Sequence, residues 1–231
     1  MSEPDYFAVR NFRKEVPQKF REFPLVSDRD GWIARRVVKQ ARKVLEVGAG
    51  DRPFLPELLA RGYCGEFKTM DVNPGRKFDY YSVDEISESF DAILLREVVE
   101  HCPRPQFYGY LEKFAQILAP GGLLILTTPN PWAVSWVFSD YTHVSPWPPA
   151  DLYGVLRCFG FQPIEILRVV WPSRFLFLKR MYRAIHSRFY DVDFAGSYIA
   201  VAKNPADRQK CSMALMSAAE DAPQSPRSFG E

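Results

Sequence analysis

The stretch "REVVEHCPRP", residues 96–105, carries Glu97, Glu100 and His101 at positions i, i+3 and i+4. On a helix this spacing brings three side chains to one face. Two carboxylates and an imidazole gathered in that way could grip a divalent cation through oxygen and nitrogen donors. They could equally form a polar seam where a helix starts, with His101 as a general base or as a packing residue. A second histidine, His143, follows in "FSDYTHVSPWPP"; the third, His186, lies in a basic segment and reads as surface.

A different chemistry is suggested by "VLEVGAGDRPF", residues 44–54. An apolar run ending in Gly48 and Gly50 reads as a buried strand entering a tight turn. A side chain at either glycine would obstruct the approach of a ligand to the turn backbone. Asp71 ends the next strand-like run, "FKTMDV", 21 residues after Gly50. At that offset a carboxylate can accept hydrogen bonds from both ribose hydroxyls of an adenosine ligand. The third glycine of a dinucleotide fingerprint is absent, since the turn continues Asp51-Arg52-Pro53. That counts against a nicotinamide-dependent oxidoreductase.

The elements that must position these residues alternate. "DRDGWIARRVVKQ" has helical periodicity, and "PFLPELLARG" reads as a short helix stopped by Gly62. "FDAILL" is a strand followed by a helix entered at "REVVEHC", and "PQFYGYLEKFAQIL" is amphipathic. "LLILTTP" is a strand, "PADLYGVLRCFGF" a helix, and "QPIEILRVV" and "SYIAVAKN" are closing strands, read as an antiparallel pair. Strands alternating with helices predict a doubly wound, mainly parallel sheet covered on both faces.

The composition narrows the function class. A net charge of +2 provides no field for a nucleic-acid partner. Cys64, Cys102, Cys158 and Cys211 lack CxxC spacing, which disfavours a zinc knuckle or a disulfide framework and suits a reducing compartment. The first residues have acids and prolines where a signal peptide needs an apolar core, so the cytoplasm is the expected location.

The succession "VLEVGAG", "MDVNP", "SVDEI", "FDAILLREVVEH", "LAPGGLLILTTPNP" and "GFQPIEI" resembles the class I S-adenosylmethionine-dependent methyltransferases. The likeness runs from about residue 44 to 201 and is similar to the ubiquinone-pathway O-methyltransferase group. It implies a Rossmann-like, seven-stranded sheet in the order 3-2-1-4-5-7-6 with strand 7 antiparallel. It also implies that Glu46, Gly48 and Gly50 line the methionine and ribose side of S-adenosylmethionine. Asp71 would bind the ribose hydroxyls, Val72 would pack on adenine, Asp84 would accept from the adenine amino group, and Leu95 and Arg96 would face the amino-acid end. Arg52 departs from the small residue common there, and would contact the cofactor carboxylate or cap an acidic neighbour.

The set Glu97, Glu100, His101 and His143 is similar to the metal site of small-RNA 2′-O-methyltransferases, and would suit Mg²⁺, Mn²⁺ or Zn²⁺. Comparable "EH" pairs occur in the wider family without a metal, which leaves His101 or His143 as a general base, or both as structural residues. The reaction implied is methyl transfer to an oxygen of a small-molecule acceptor, with glycan or lipid-linked acceptors included. The alternatives are a metal-assisted RNA 2′-O-methyltransferase and a non-catalytic cofactor-binding module.

Three segments lie outside that core. Residues 1–25 form an N-terminal arm or lid, and residues 26–203 the methyltransferase domain. Within the latter, 173–190 is a basic aromatic insertion that could contact a membrane, a lipid substrate or a partner, or pack on the core. Residues 204–231, rich in Ala, Ser and Pro, read as a disordered tail. Trp132, Trp136, Tyr141 and Trp147 are candidates for the wall of an acceptor pocket.

Overall fold

A computed structural model of the chain describes residues 3–19, 22–133, 140–170, 181, 185 and 194–205. Trp136, His186, Cys211, nearly all of the insertion 173–190 and most of the tail 204–231 lie outside the described residues.

Among the described residues seven strands form one sheet: β1 (Leu25–Val26), β2 (Lys43–Val47), β3 (Glu66–Met70), β4 (Phe90–Arg96), β5 (Leu118–Pro129), β6 (Gln162–Val169) and β7 (Ser197–Lys203). Their order is β1-β6-β7-β5-β4-β2-β3, and β7 runs antiparallel to both of its neighbours while the other pairs are parallel. Alternation within each apolar run sends side chains to both faces, as a pleated strand requires. Leu45, Val47, Ile93, Leu95, Leu124 and Leu126 face one core, while Val44, Ala92, Leu94, Leu123 and Ile125 face the other.

Helices cover both faces. α2 (Arg29–Gln40) and α3 (Leu55–Leu59) bury Ile33, Val37 and Leu58 in the second core. α4 (Arg104–Ile117) and α5 (Pro149–Cys158) bury Phe107, Leu111, Phe114, Leu152 and Leu156 in the first. The sheet is the expected doubly wound, Rossmann-like one. Its edges carry one detail the sequence did not display. Where the family's third strand would lie, a single parallel bridge joins Met70 to Tyr80, and the two-residue β1 supplies the seventh strand beside β6. The intervening segment "NPGRK" has no apolar run to bury, so it cannot extend the ladder.

One expectation is corrected. Residues 97–103 are not the start of a helix but a turn, and α4 begins only at Arg104. Glu97 has a left-handed backbone (φ 54°), which a helix does not accept. Pro103 then holds Cys102 away from helical geometry. The three polar side chains are therefore brought together by a turn rather than by helical periodicity.

The N-terminal arm docks by α1 (Tyr6–Phe12) against α5. A Cβ at Gly154 would lie 2.6 Å from the Val9 carbonyl oxygen, so only glycine allows this approach. Beside it the Arg157 guanidinium sits 4.7 Å from the Phe12 ring centroid, and the Tyr153 hydroxyl donates to Glu15 Oε2 at 2.7 Å. Gly154→Val is expected to cost about 1–3 kcal/mol of stability by overpacking. An unchanged urea midpoint would show that the helices separate freely.

Candidate functional site

The site forms where the carboxyl ends of β2, β3 and β4 meet the turns that follow them. Glu46, on β2, is buried; its Oε1 accepts from Arg96 Nε at 2.8 Å and its Oε2 from the Phe54 amide at 2.7 Å. Arg96 also donates to the Arg52 carbonyl at 2.8 Å and lies 4.5 Å from the Phe54 ring centroid. Burial pushes the Glu46 pKa up, against the opposing pull of Arg96 and the Phe54 amide. Glu46 and Arg96 thus brace the glycine turn from behind. Arg52 contributes its carbonyl to that brace, while its side chain is exposed.

Gly48 and Gly50 both have positive φ (71° and 52°). A Cβ on Gly48 would collide with Val98, whereas the space beside Gly50 is open. The Gly50 amide donates to Asp71 Oδ2 at 2.8 Å, and the Asn73 amide to Asp71 Oδ1 at 2.9 Å. Each carboxylate oxygen keeps a lone pair for a ligand hydroxyl.

In front of this clasp lies a cleft of about 380 Å³ bordered by Gly48, Asp71, Val72, Val98, His101 and Tyr110, among others. Its size lies within the range of small-ligand sites. Val72, 67% exposed, offers an apolar lip for a flat ring. Gln106 and Tyr110, four residues apart on α4, add a polar wall, with Gln106 Nε2 donating to the Tyr110 hydroxyl at 2.9 Å. Burial, with smaller contributions from Cys102, Asp84 and Asp71, raises the Tyr110 pKa, so the phenol stays protonated.

These residues fit S-adenosylmethionine: an open glycine turn, a ribose-binding carboxylate and an apolar lip. Leu95 is fully buried in the core and can offer a ligand only its backbone. Asp84 is exposed in a 3-10 turn and does not border the cleft, although its charge reaches Tyr110.

At the other end of the cleft the polar turn is held by two consecutive threonines of β5. Thr127 Oγ1 donates to Glu97 Oε1 at 2.9 Å, and Thr128 Oγ1 donates to Glu100 Oε2 at 3.0 Å. Arg29 Nη1, from the first turn of α2, forms an ion pair with Glu97 Oε1 at 2.8 Å. Glu100 is 2% exposed and its Oε1 meets no donor among the described residues. Burial, followed by the neighbouring Glu97 charge, drives the Glu100 pKa well up.

Ligand atoms of Glu100, His101 and His143 lie within 4.8 Å of one another. Glu97 is not part of that group. The four-residue set expected from sequence therefore contracts to three, and these have the donor types for a divalent cation.

His101 is oriented by a short chain of hydrogen bonds. Thr142 Oγ1 donates to Asp140 Oδ1 at 2.6 Å and lies 2.9 Å from His101 Nδ1. Its single proton is committed to Asp140, so the Thr142 oxygen accepts from His101 Nδ1–H. The neutral imidazole is thereby left with an unprotonated Nε2. The Thr142 hydrogen bonds, more than the two nearby histidines, hold the Asp140 pKa down. Cys102 borders the cleft, but burial and then the Glu100 charge push its thiol up to about 11, so it is no nucleophile.

Sequence reasoning missed Arg29, Gln106, Tyr110, Thr127, Thr128, Asp140 and Thr142. Only the adjacent threonines ending a strand and the i, i+4 pair on α4 left a readable signal.

The buried Glu100 carboxyl makes stability depend on pH. An acid with a raised native pKa favours folding below its unfolded-state pKa, and this contribution is lost as pH rises through the folded value. In a chelating buffer, Glu100→Gln is expected to raise the urea midpoint at pH 8 and leave it nearly unchanged at pH 4. A lowered midpoint at pH 8 would contradict the buried-charge assignment.

Comparison with known proteins agrees with this geometry. The family described as "Methyltransferase domain" matches residues 12–166. The ubiquinone biosynthesis O-methyltransferase of Dechloromonas aromatica is 29% identical over 125 residues, which cover 47% of this chain and 53% of that protein. The chain thus spans about half the length of that curated relative. A SAM-dependent methyltransferase from Archaeoglobus fulgidus shares the fold with a TM-score of 0.59 at 17% identity, over 86% of this chain and all (100%) of the other. The N-methyltransferase NodS of Bradyrhizobium japonicum, in complex with S-adenosyl-L-homocysteine, does so with a TM-score of 0.52 at 16% identity, over 88% and 100%. The chain belongs to the methyltransferase-domain family, the class I S-adenosylmethionine-dependent methyltransferases.

Proposed function

We propose that the protein methylates a hydroxyl oxygen of a small-molecule acceptor, with His101 as general base. The observation that carries this reading is the Asp140–Thr142–His101 chain beside the cofactor cleft. S-adenosylmethionine supplies a sulfonium methyl; its transfer breaks the C–S bond, forms a C–O bond and leaves the thioether. His101 Nε2 takes the hydroxyl proton, and the Thr142 link stabilises the resulting imidazolium through Asp140. Asp71, Gly48 and Gly50 hold the nucleoside, and their rigidity supplies alignment. The name of the Dechloromonas relative supports oxygen over nitrogen as the methylated atom.

A second reading shares the same acceptor chemistry. The unpartnered Glu100 Oε1, together with His101 and His143, would hold a divalent cation that lowers the acceptor pKa and orients its oxygens. In that case the Thr142 link fixes the ligating tautomer of His101 instead of a base.

The acceptor's extent beyond its hydroxyl is open to glycan or lipid-linked groups through segment 173–190. Of that segment only Met181 and Ile185, both exposed, are described. No helix among the described residues is long and apolar enough to cross a membrane.

Labelled methyl transfer to a panel of catechols and phenols, with and without chelator, tests both readings. His101→Ala is expected to lower kcat by about 10²–10⁴-fold, with unchanged affinity for S-adenosylhomocysteine. Thr142→Val should cost about 10-fold or more and shift the pH profile of kcat/KM. Full activity in both variants would overturn the base reading. Loss of activity in chelator, restored by added Mg²⁺, Mn²⁺ or Zn²⁺, would select the cation reading.

A further inference from the structure

A second cleft, of about 490 Å³, lies between α1, the start of α4 and the start of α5. It shares no bordering residue with the cofactor cleft. The first turns of α4 divide the two: Gln106 and Tyr110 border one cleft, Arg104 and Tyr108 the other.

Helical spacing builds the second cleft's walls. On α1, Tyr6 and Arg10 share one face as i and i+4, and Arg13, the αR residue that caps the helix, continues that face at i+7. On α4, Arg104 and Tyr108 are four apart, again on one face. Trp147 and Tyr108, only 3% and 6% exposed, supply an aromatic floor. The Trp147 indole N–H is already committed to the Val99 carbonyl at 3.2 Å, so its ring offers the cleft apolar and π surface alone. The Arg104 guanidinium lies 5.8 Å from the Trp147 ring centroid.

The charges do not cancel. Arg13 is paired with Asp151 at 2.9 Å. Arg10 and Arg104 have no carboxylate within ion-pair distance among the described residues, although Glu3 also borders the cleft. Three guanidinium groups against two carboxylates leave one net positive charge. The walls are also preformed, because α1 is fixed to α5 through the close contact at Gly154. A preformed wall reduces the ordering cost of binding.

We propose that this cleft is a second ligand site, which takes a small ring-bearing anion. Arg10 and Arg104 bind its carboxylate or phosphate group, and Tyr6, 66% exposed, provides surface for its ring above the Trp147 floor. The site is independent of the methyl-transfer reading, since none of its bordering residues borders the cofactor cleft and its ligand would touch neither the cofactor nor His101.

Calorimetric titration of the whole protein with phenyl phosphate, benzoate and neutral phenol tests it, each with and without saturating S-adenosylhomocysteine. One or both anions should bind at a single site at least about tenfold more tightly than phenol. Their relative affinity identifies the head group. Affinity should be unchanged by S-adenosylhomocysteine and should fall about tenfold or more in Arg10→Gln/Arg104→Gln. Circular dichroism and S-adenosylhomocysteine binding by that variant report its integrity. Equal affinity for phenol and the anions, no loss in the folded double variant, competition with S-adenosylhomocysteine, or no binding of either anion would overturn the proposal.

Discussion

A carboxylate buried behind the glycine turn is the constraint on which the cofactor cleft depends. Glu46 has almost no contact with solvent and is satisfied by Arg96 on one oxygen and by the Phe54 amide on the other. Burial raises its pKa against the opposing pull of Arg96 and the Phe54 amide, and a buried ion pair of this kind is weak evidence for stability. What it fixes is position. It ties the ends of the neighbouring strands β2 and β4 and, through the Arg52 carbonyl, sets the path of the turn. With the turn so placed, the Gly50 amide reaches Asp71 and the cleft opens in front of both.

The turn at 97–103 is the second organising element, and it follows the strand Glu46 helps to anchor. Its left-handed first residue redirects the chain, so that Glu97 meets Arg29 and Thr127 while Glu100 turns into the interior beside Thr128. The backbone carbonyl of Glu100 then accepts from Val144 and Ser145, which brings His143 and Thr142 alongside His101. One short loop therefore assembles groups that are far apart in sequence. Behind the same loop, Val99 anchors Trp147 and with it the floor of the second cleft.

Much of this was legible in the sequence because the sheet is built from short, mainly apolar runs, and "VLEVG", "FDAILL" and "LLILTTP" have few other ways to bury themselves. The glycine turn and Asp71 were legible because positive φ and a strand-ending acid leave local marks. Residues 97–103 were misread as helical because Glu97, Glu100 and His101 satisfy a helical spacing that Pro103 and the backbone of Glu97 then defeat. The loss of Glu97 from the cation group was not legible: it depends on Arg29, 68 residues away. The family resemblance implied Leu95 as a cofactor-facing residue, but the pleat turns its side chain into the core. The two residues of β1 are too few to carry a period.

The clasp between Asp71 and the glycine turn is tested most directly by calorimetric titration with S-adenosylhomocysteine. The structure predicts one-to-one binding in the wild type and its loss in Asp71→Ala, with the variant's circular dichroism unchanged. Absence of binding to folded wild-type protein, or equal binding by Asp71→Ala, would contradict it.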